Sequence, residues 1–153
     1  MQASQLLHVI PTTVWRVGYV DGMEHGAWGR GTEVRMAKFR FQDLKIWQFA
    51  IEIADELFDI ADDLEQRKLY RFADQIRGAG MSMSNNIAEG SGSYSKREFG
   101  RFLNIARRST FENANVVLLL ERRSLLSKER ANKLLDDLEL LCRQISSFKN
   151  TLR

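Results

Sequence analysis

Four arginines recur on one side of a predicted helix in the second half of the chain. A guanidinium group presents a planar fork of N–H donors that matches phosphate oxygens, so a row of arginines along a helix can follow a nucleic-acid backbone. We call this row the arginine stripe, and its members are Arg97, Arg101, Arg108 and Arg122. We favour phosphate binding as its role, but salt bridges to another subunit and a plain solvated face are also open.

Further cations lie beside the arginine stripe in the sequence or on the last predicted helix. Lys96 and Arg107 complete the predicted nucleic-acid-binding set. Three more cations could widen it, namely Arg123, Arg143 and Lys149. The charge is unevenly divided, because residues 40–67 hold three basic and eight acidic residues, whereas residues 68–153 hold sixteen basic and nine acidic ones. We therefore expect any attraction to phosphate to come from the part of the chain after residue 67.

A second candidate site is a polar run that precedes the Gly-rich stretch 90–93. Glu89 could act as a catalytic acid, but no histidine or second carboxylate stands near it, and acid–base chemistry usually needs such a partner. We instead interpret this run as a structural motif whose side chains hydrogen-bond the connection between two helices. The motif consists of Asn85, Asn86, Glu89 and Gly90.

Few residues of this chain are suited to nucleophilic or metal chemistry. Cys142 is the single cysteine, so an internal disulfide is excluded, and we expect it to be a small, partly buried side chain. The two histidines, His8 and His25, both lie in the first 35 residues. We therefore predict no metal site, no cofactor and no enzymatic activity.

The length and composition indicate one domain with its own core. The chain has 153 residues, 44% of them hydrophobic, and a single proline, so long uninterrupted helices are allowed. No apolar run approaches the roughly 20 residues that cross a bilayer. The apolar stretch 6–10 is too short for a signal peptide and stops at Pro11. We expect a soluble, cytoplasmic protein with no membrane partner.

Residues 1–35 differ in composition from everything that follows. They contain five glycines and the only proline, and they show no helical periodicity. We interpret them as an N-terminal extension that is flexible or not native, and we place the folded domain at residues 36–153. A short β-like arm over residues 12–20 is the alternative, since that stretch is rich in β-forming residues.

Apolar residues spaced three and four apart predict four helices after residue 36. Ser95, with Glu98 three residues later, forms a capping box, and Ser127 is a second N-cap candidate. Short connections make sequential helices antiparallel neighbours. The prediction is an all-α, antiparallel, up-down-up-down four-helix bundle, with a loop at residues 90–93 and helices at 42–64, 68–87, 95–122 and from 128 onward.

The first predicted helix carries more apolar surface than one bundle needs. Its two apolar seams cover about half of the circumference, whereas a surface helix needs a stripe of about 100°. The third helix has a second apolar stripe at Phe111 and Leu118. We therefore expect a homo-oligomer whose interface includes Trp47, Ile53, Leu57, Phe111 and Leu118. Stacking on a nucleobase is an alternative role for Phe111.

Several stretches of this chain resemble a known family of four-helix bundles. Residues 86–90 read Asn-Ile-Ala-Glu-Gly, and further matching stretches lie at 41–48, 75–80, 82–85 and 98–109. They resemble the 23S ribosomal RNA intervening-sequence proteins, a family related to the accessory variability proteins of diversity-generating retroelements. The resemblance covers about residues 39–153. The family often has a proline where this chain has Met83-Ser84, so we expect a straighter second helix.

This resemblance implies a four-helix bundle that assembles into a ring-like homopentamer, with a poorly defined biochemical function. Some members are encoded within intervening sequences of large-subunit ribosomal RNA genes, and the retroelement relatives are thought to bind nucleic acid and a reverse transcriptase. The implied partners are the chain itself, RNA or DNA, and a reverse transcriptase or another protein. We expect a non-catalytic accessory protein that binds RNA or DNA through its third helix. The alternative is an oligomeric scaffold with a protein partner.

Overall fold

The computed structural model describes residues 38–152, which form a short 3-10 helix and four α-helices, with no strand in that range. The 3-10 helix is Arg40–Asp43, and the α-helices are α1 Lys45–Gln66, α2 Tyr70–Ser91, α3 Lys96–Arg122 and α4 Lys128–Thr151. The predicted all-α fold is confirmed. The predicted extension, residues 1–35, lies outside the described residues, so that domain boundary stays a prediction.

The four helices pack as a bundle in which each helix has two neighbours. α2 packs against α1 and α3, and α4 packs against α3 and α1. The connections are only a few residues long, so sequential helices run antiparallel, as predicted. α1 and α3 stand on one diagonal of the bundle and α2 and α4 on the other. The outward faces of α1 and α3 therefore point in opposite directions.

Helix starts and stops have identifiable local causes. The Ser95 hydroxyl accepts a hydrogen bond from the Glu98 N–H at 3.1 Å, and the Ser127 hydroxyl accepts one from Arg130 at 3.3 Å, so both predicted N-caps are present. α1 and α3 both end in a left-handed residue, Lys68 with φ 61° and Ser124 with φ 54°. In each case the next leucine donates its N–H back to a leucine carbonyl five residues earlier, at 2.9 Å. This is the Schellman pattern, which satisfies helix-terminal carbonyls.

The core of the bundle follows the apolar seams. One predicted seam of α1 is fully buried, from Ile46 to Leu64, and the α4 seam is buried from Ala131 to Ile145. The other α1 seam is partly covered by the chain's own 3-10 helix. The Trp47 ring lies 4.9 Å from the Phe41 ring, centroid to centroid. Phe41 therefore covers part of the Trp47 ring within the single chain.

The end of α2 differs from its prediction. Residues 90 and 91 were expected to begin a loop, but α2 continues through Gly90 and Ser91, and Gly92 is its C-cap. Gly90 is buried because α3 crosses very close to it. A Cβ at Gly90 would lie 2.6 Å from the Cβ of Phe102 and 2.7 Å from the Cδ2 of Phe99. The glycine serves close helix packing here and does not form a turn.

Candidate nucleic-acid interface

The arginine stripe lies on the outer side of α3. At 100° per residue its four members fall within about 60° of the helix circumference, and at 1.5 Å per residue they extend over about 38 Å. All four are exposed, whereas Leu103 and Ala106 on the opposite side of α3 are fully buried. The stripe is therefore a convex row of cations turned away from the core.

The members of the arginine stripe are free of acidic partners within residues 38–152. No carboxylate of that range lies within 4.0 Å of the guanidinium groups of Arg97, Arg101, Arg108 or Arg122. Unpaired guanidinium groups keep their full hydrogen-bonding capacity for a ligand. The stripe can therefore receive phosphate oxygens without first breaking an ion pair to a carboxylate of residues 38–152.

Many acidic residues of α1 are, by contrast, already engaged. Glu56 receives Lys133 of α4 at 2.6 Å, and Arg77 of α2 binds Asp62 at 2.6 Å and also Glu65. These pairs join α1 to its two neighbours. α1 and α3 lie on a diagonal, and no arginine of the stripe forms an ion pair with α1. Pairing between subunits, the second interpretation of the stripe, stays a prediction.

Two of these α1 contacts shift the pKa of the basic partner upward. The pKa of Lys133 lies above its usual value because its ammonium donates a hydrogen bond to Glu56, and attraction to Glu56 and Asp137 adds to this. The pKa of Arg77 is raised by hydrogen bonds to Asp62 and Glu65. Lys133 is exposed and Arg77 is half-buried at the surface, and ion pairs in such positions contribute little to stability. Lys133 and Arg77 serve as contacts that join α4 and α2 to α1.

The two flanking cations of the predicted set lie in different places. Lys96 is exposed in the first turn of α3, one residue from the start of the stripe. Arg107 is half-buried on the side of α3 that faces α4, where its guanidinium carbon lies 5.7 Å from the centre of the Phe111 ring. Arg107 is therefore separate from the stripe and takes part in a cation–π contact.

A cation outside the predicted set lies next to the arginine stripe because α4 packs against α3. Lys149 of α4 lies beside the first turns of α3, where its Nζ donates a hydrogen bond to the Asn104 Oδ1 at 2.6 Å. The two residues are 45 positions apart, so spacing along one helix could not place them together. Of the other two additional cations, Arg143 pairs with Glu139 on α4, and Arg123 is the C-cap of α3.

The polar motif contributes less hydrogen bonding than expected. Asn86 donates to the Ser82 carbonyl at 2.7 Å, within α2, and the Ser82 hydroxyl contacts the Ser109 hydroxyl of α3 at 2.8 Å. Asn85 and Glu89 are exposed, and in the part of the chain that the structure describes their side chains form no hydrogen bond. Gly90, through its packing on α3, is the member that shapes the α2–α3 junction.

The predicted oligomer interface divides into core and surface residues. Ile53 and Leu57 are only 2% and 1% exposed within the single chain, so both belong to the bundle core and offer no surface to a partner. This corrects their assignment, which arose because a seam cannot show which side the bundle itself will cover. Trp47 is half-buried. Phe111 and Leu118 are 62% and 50% exposed, so they present apolar surface on α3.

Cys142 is half-buried on α4, beside an apolar groove that also includes Phe111 and Leu135. Among residues 38–152 the structure contains no cluster of three or more metal-ligating side chains. None of the described helices is long and apolar enough to cross a membrane.

The sequence profile of a family described as 23S rRNA-intervening sequence protein matches residues 42–147. The chain belongs to this family. A solved structure from Bacteroides thetaiotaomicron, described as a protein with unknown function from the S23 ribosomal protein family, is similar with a TM-score of 0.65 and 23% identity. That similarity covers 68% of this chain and 97% of the other, and at this identity it supports the shared fold. Comparison with curated proteins finds no match.

Proposed function

We propose that this member of the 23S rRNA-intervening sequence family is a non-catalytic accessory protein that binds RNA or DNA through α3. The observation that carries the proposal is the exposed arginine stripe, which has no acidic partner in residues 38–152. Binding would be electrostatic and largely independent of sequence, since cations that neutralise phosphates release condensed counterions. The relation to nucleic acid in the family's description is consistent with this mechanism.

The proposal includes assembly of the chain with itself. The exposed Phe111 and Leu118 supply apolar surface for a subunit contact. The resemblance to ring-forming bundles implies a homopentamer, in which the stripe would occur once per subunit. Repetition of a weak contact site on one particle raises the overall affinity for a long polyanion.

A charge-reversal experiment tests nucleic-acid binding. The variant Arg101→Glu/Arg108→Glu changes two exposed stripe residues, and Lys45→Glu/Lys128→Glu is a matched control at two exposed lysines outside it. We expect the stripe variant to lose binding to fluorescent single-stranded RNA and DNA, while the control retains it. Light scattering checks that the oligomeric mass of both is unchanged. Equal binding by the stripe variant and the wild type would refute the assignment.

The second candidate function is a scaffold whose partner is another protein, such as a reverse transcriptase. The observation in its favour is the apolar groove between α3 and α4, lined by Thr110, Phe111, Ala114, Leu135, Leu138, Glu139 and Cys142. An exposed apolar groove is typical of a protein contact site. This function predicts a purified protein free of nucleic acid, with a protein partner whose capture is lost in Phe111→Asp.

A further inference from the structure

A cleft between the start of α3 and the end of α4 gathers cations from both helices. Its volume is about 490 Å³. Lys96, Arg97 and Arg101 come from α3 and Lys149 from α4, while Gly100, Asn104 and Leu152 complete the lining. No carboxylate of residues 38–152 lines it. The cleft is therefore a concave site with four positive charges, unlike the convex remainder of the arginine stripe.

Lys149 is held in place at the wall of this cleft. Its ammonium donates one hydrogen bond to Asn104 at 2.6 Å, and a lysine ammonium has three N–H donors, so two remain for a ligand. Gly100 lies beside the lysine stem, where even a Cβ would make only an ordinary van der Waals contact, 3.7 Å from the Lys149 Cε. A hydrogen bond between α4 and α3 thus places the Lys149 ammonium beside the cleft.

The number of cations indicates the charge of the ligand. An internal phosphodiester carries a single negative charge, whereas a phosphate monoester carries about −1.5 to −2 at pH 7 and presents three acceptor oxygens. Four cations that line one cleft suit the monoester better. We propose that the cleft holds the terminal phosphate of a nucleic-acid strand. This inference rests on the proposed function, in which the protein binds nucleic acid.

The surface next to the cleft suits the nucleotide that carries such a phosphate. Lys96 lines the cleft and also an adjoining hollow of about 310 Å³, which contains Tyr94 and Arg40. Tyr94 is fully exposed, and Arg40 donates to the Ser93 carbonyl at 3.3 Å, so the hollow has an aromatic ring and a fixed cation at its rim. An exposed aromatic ring can stack on an unpaired base. A single-stranded end therefore fits the cleft and the hollow together.

Three fluorescent RNA strands of one sequence test the inference: one with a 5′-phosphate, one with a 3′-phosphate and one with hydroxyl groups at both ends. We expect one phosphorylated strand to bind about tenfold more tightly than the hydroxyl strand, as hydrogen bonds between charged groups would give. The end that gains affinity identifies the end recognised. In Lys149→Gln and in Arg97→Gln the phosphorylated strand should bind no better than the hydroxyl strand. The control Lys128→Gln, at the other end of α4, should keep the preference.

The outcomes separate this inference from the proposed function. If all three strands bind the wild type equally, the cleft does not recognise a terminal phosphate, although the arginine stripe still binds nucleic acid. If Lys149→Gln retains the full preference, the cleft is likewise not the site. If no strand binds at any salt concentration, the proposed function itself fails. Circular dichroism confirms that each exposed-site variant keeps the helical content of the wild type.

Discussion

At the scale of single residues, two glycines of α2 have opposite surroundings and therefore predict opposite effects on stability. Gly90→Ala should lower the free energy of unfolding by about 2 kcal/mol or more, since its Cβ would overlap Phe102 and Phe99 and overpacking costs 1–3 kcal/mol. Gly78→Ala should raise it by about 0.5–1 kcal/mol, because Gly78 is exposed with open space around it and alanine is the better helix former. Urea unfolding followed by circular dichroism measures both changes.

Gly90 also shows that the sequence does not reveal which role a glycine has in the fold. In the sequence, Gly90-Ser91-Gly92 predicts a loop, because glycine is common in turns. The structure uses Gly90 instead for close packing against two aromatic residues of α3, a contact that depends on how two helices cross. If Gly90→Ala were as stable as the wild type, the close approach of α3 to α2 would be refuted.

At the scale of elements, the turn after α1 predicts a stabilising substitution. Lys68 has a left-handed backbone with φ 61°, which costs an L-residue about 1–2 kcal/mol relative to right-handed geometry. Lys68→Gly should therefore raise the free energy of unfolding by about 0.5–1 kcal/mol, after allowance for the greater unfolded-state entropy of glycine. Glu52→Gly, at an exposed position in the interior of α1, should lower it by about 1 kcal/mol. Thermal or urea unfolding of the two variants checks this, and a loss of stability in Lys68→Gly would contradict the Schellman geometry.

The helices themselves could be predicted because their signals are local. The apolar periodicity and the serine caps at Ser95 and Ser127 depend only on neighbouring residues, and both caps are present. The turn at Lys68 carried no glycine, so its left-handed residue had no signal in the sequence. The position of Lys149 beside Asn104 depends on the antiparallel packing of α3 and α4, and periodicity along one helix does not contain that information.

At the scale of the whole molecule, the exposed apolar residues of α3 predict which face forms the subunit contact. Phe111→Asp/Leu118→Asp should reduce the proposed homo-oligomer to monomers, since it places charges on the apolar surface that assembly would bury. Ile105→Asp/Leu119→Asp is a matched control at two other exposed apolar residues of α3. Light scattering after size-exclusion chromatography measures the mass. If only the control variant dissociated, the subunit contact would lie on the side of α3 that carries Ile105 and Leu119, and this prediction would be wrong.

Packing within the single chain explains why the sequence overestimated the apolar surface that α1 offers to a partner. An apolar seam shows that a surface is covered, but it does not show whether the cover is the same chain or another. Ile53 and Leu57 are covered by their own bundle, and Trp47 is partly covered by Phe41 from the 3-10 helix. Apolar surface that remains exposed in the folded chain, as at Phe111, is the better guide to a partner.

The salt dependence of nucleic-acid affinity tests the central claim, that the arginine stripe binds phosphate. Fluorescence anisotropy with a single-stranded RNA between 50 and 200 mM salt gives the slope of the logarithm of the affinity against the logarithm of the salt concentration. Each phosphate contact on a single strand contributes about 0.7 to that slope, so Arg101→Gln/Arg108→Gln should flatten it by about 1.4. Lys45→Gln/Lys128→Gln should leave it unchanged. A stripe variant with the slope of the wild type would show that the bound phosphates lie elsewhere and would contradict the account.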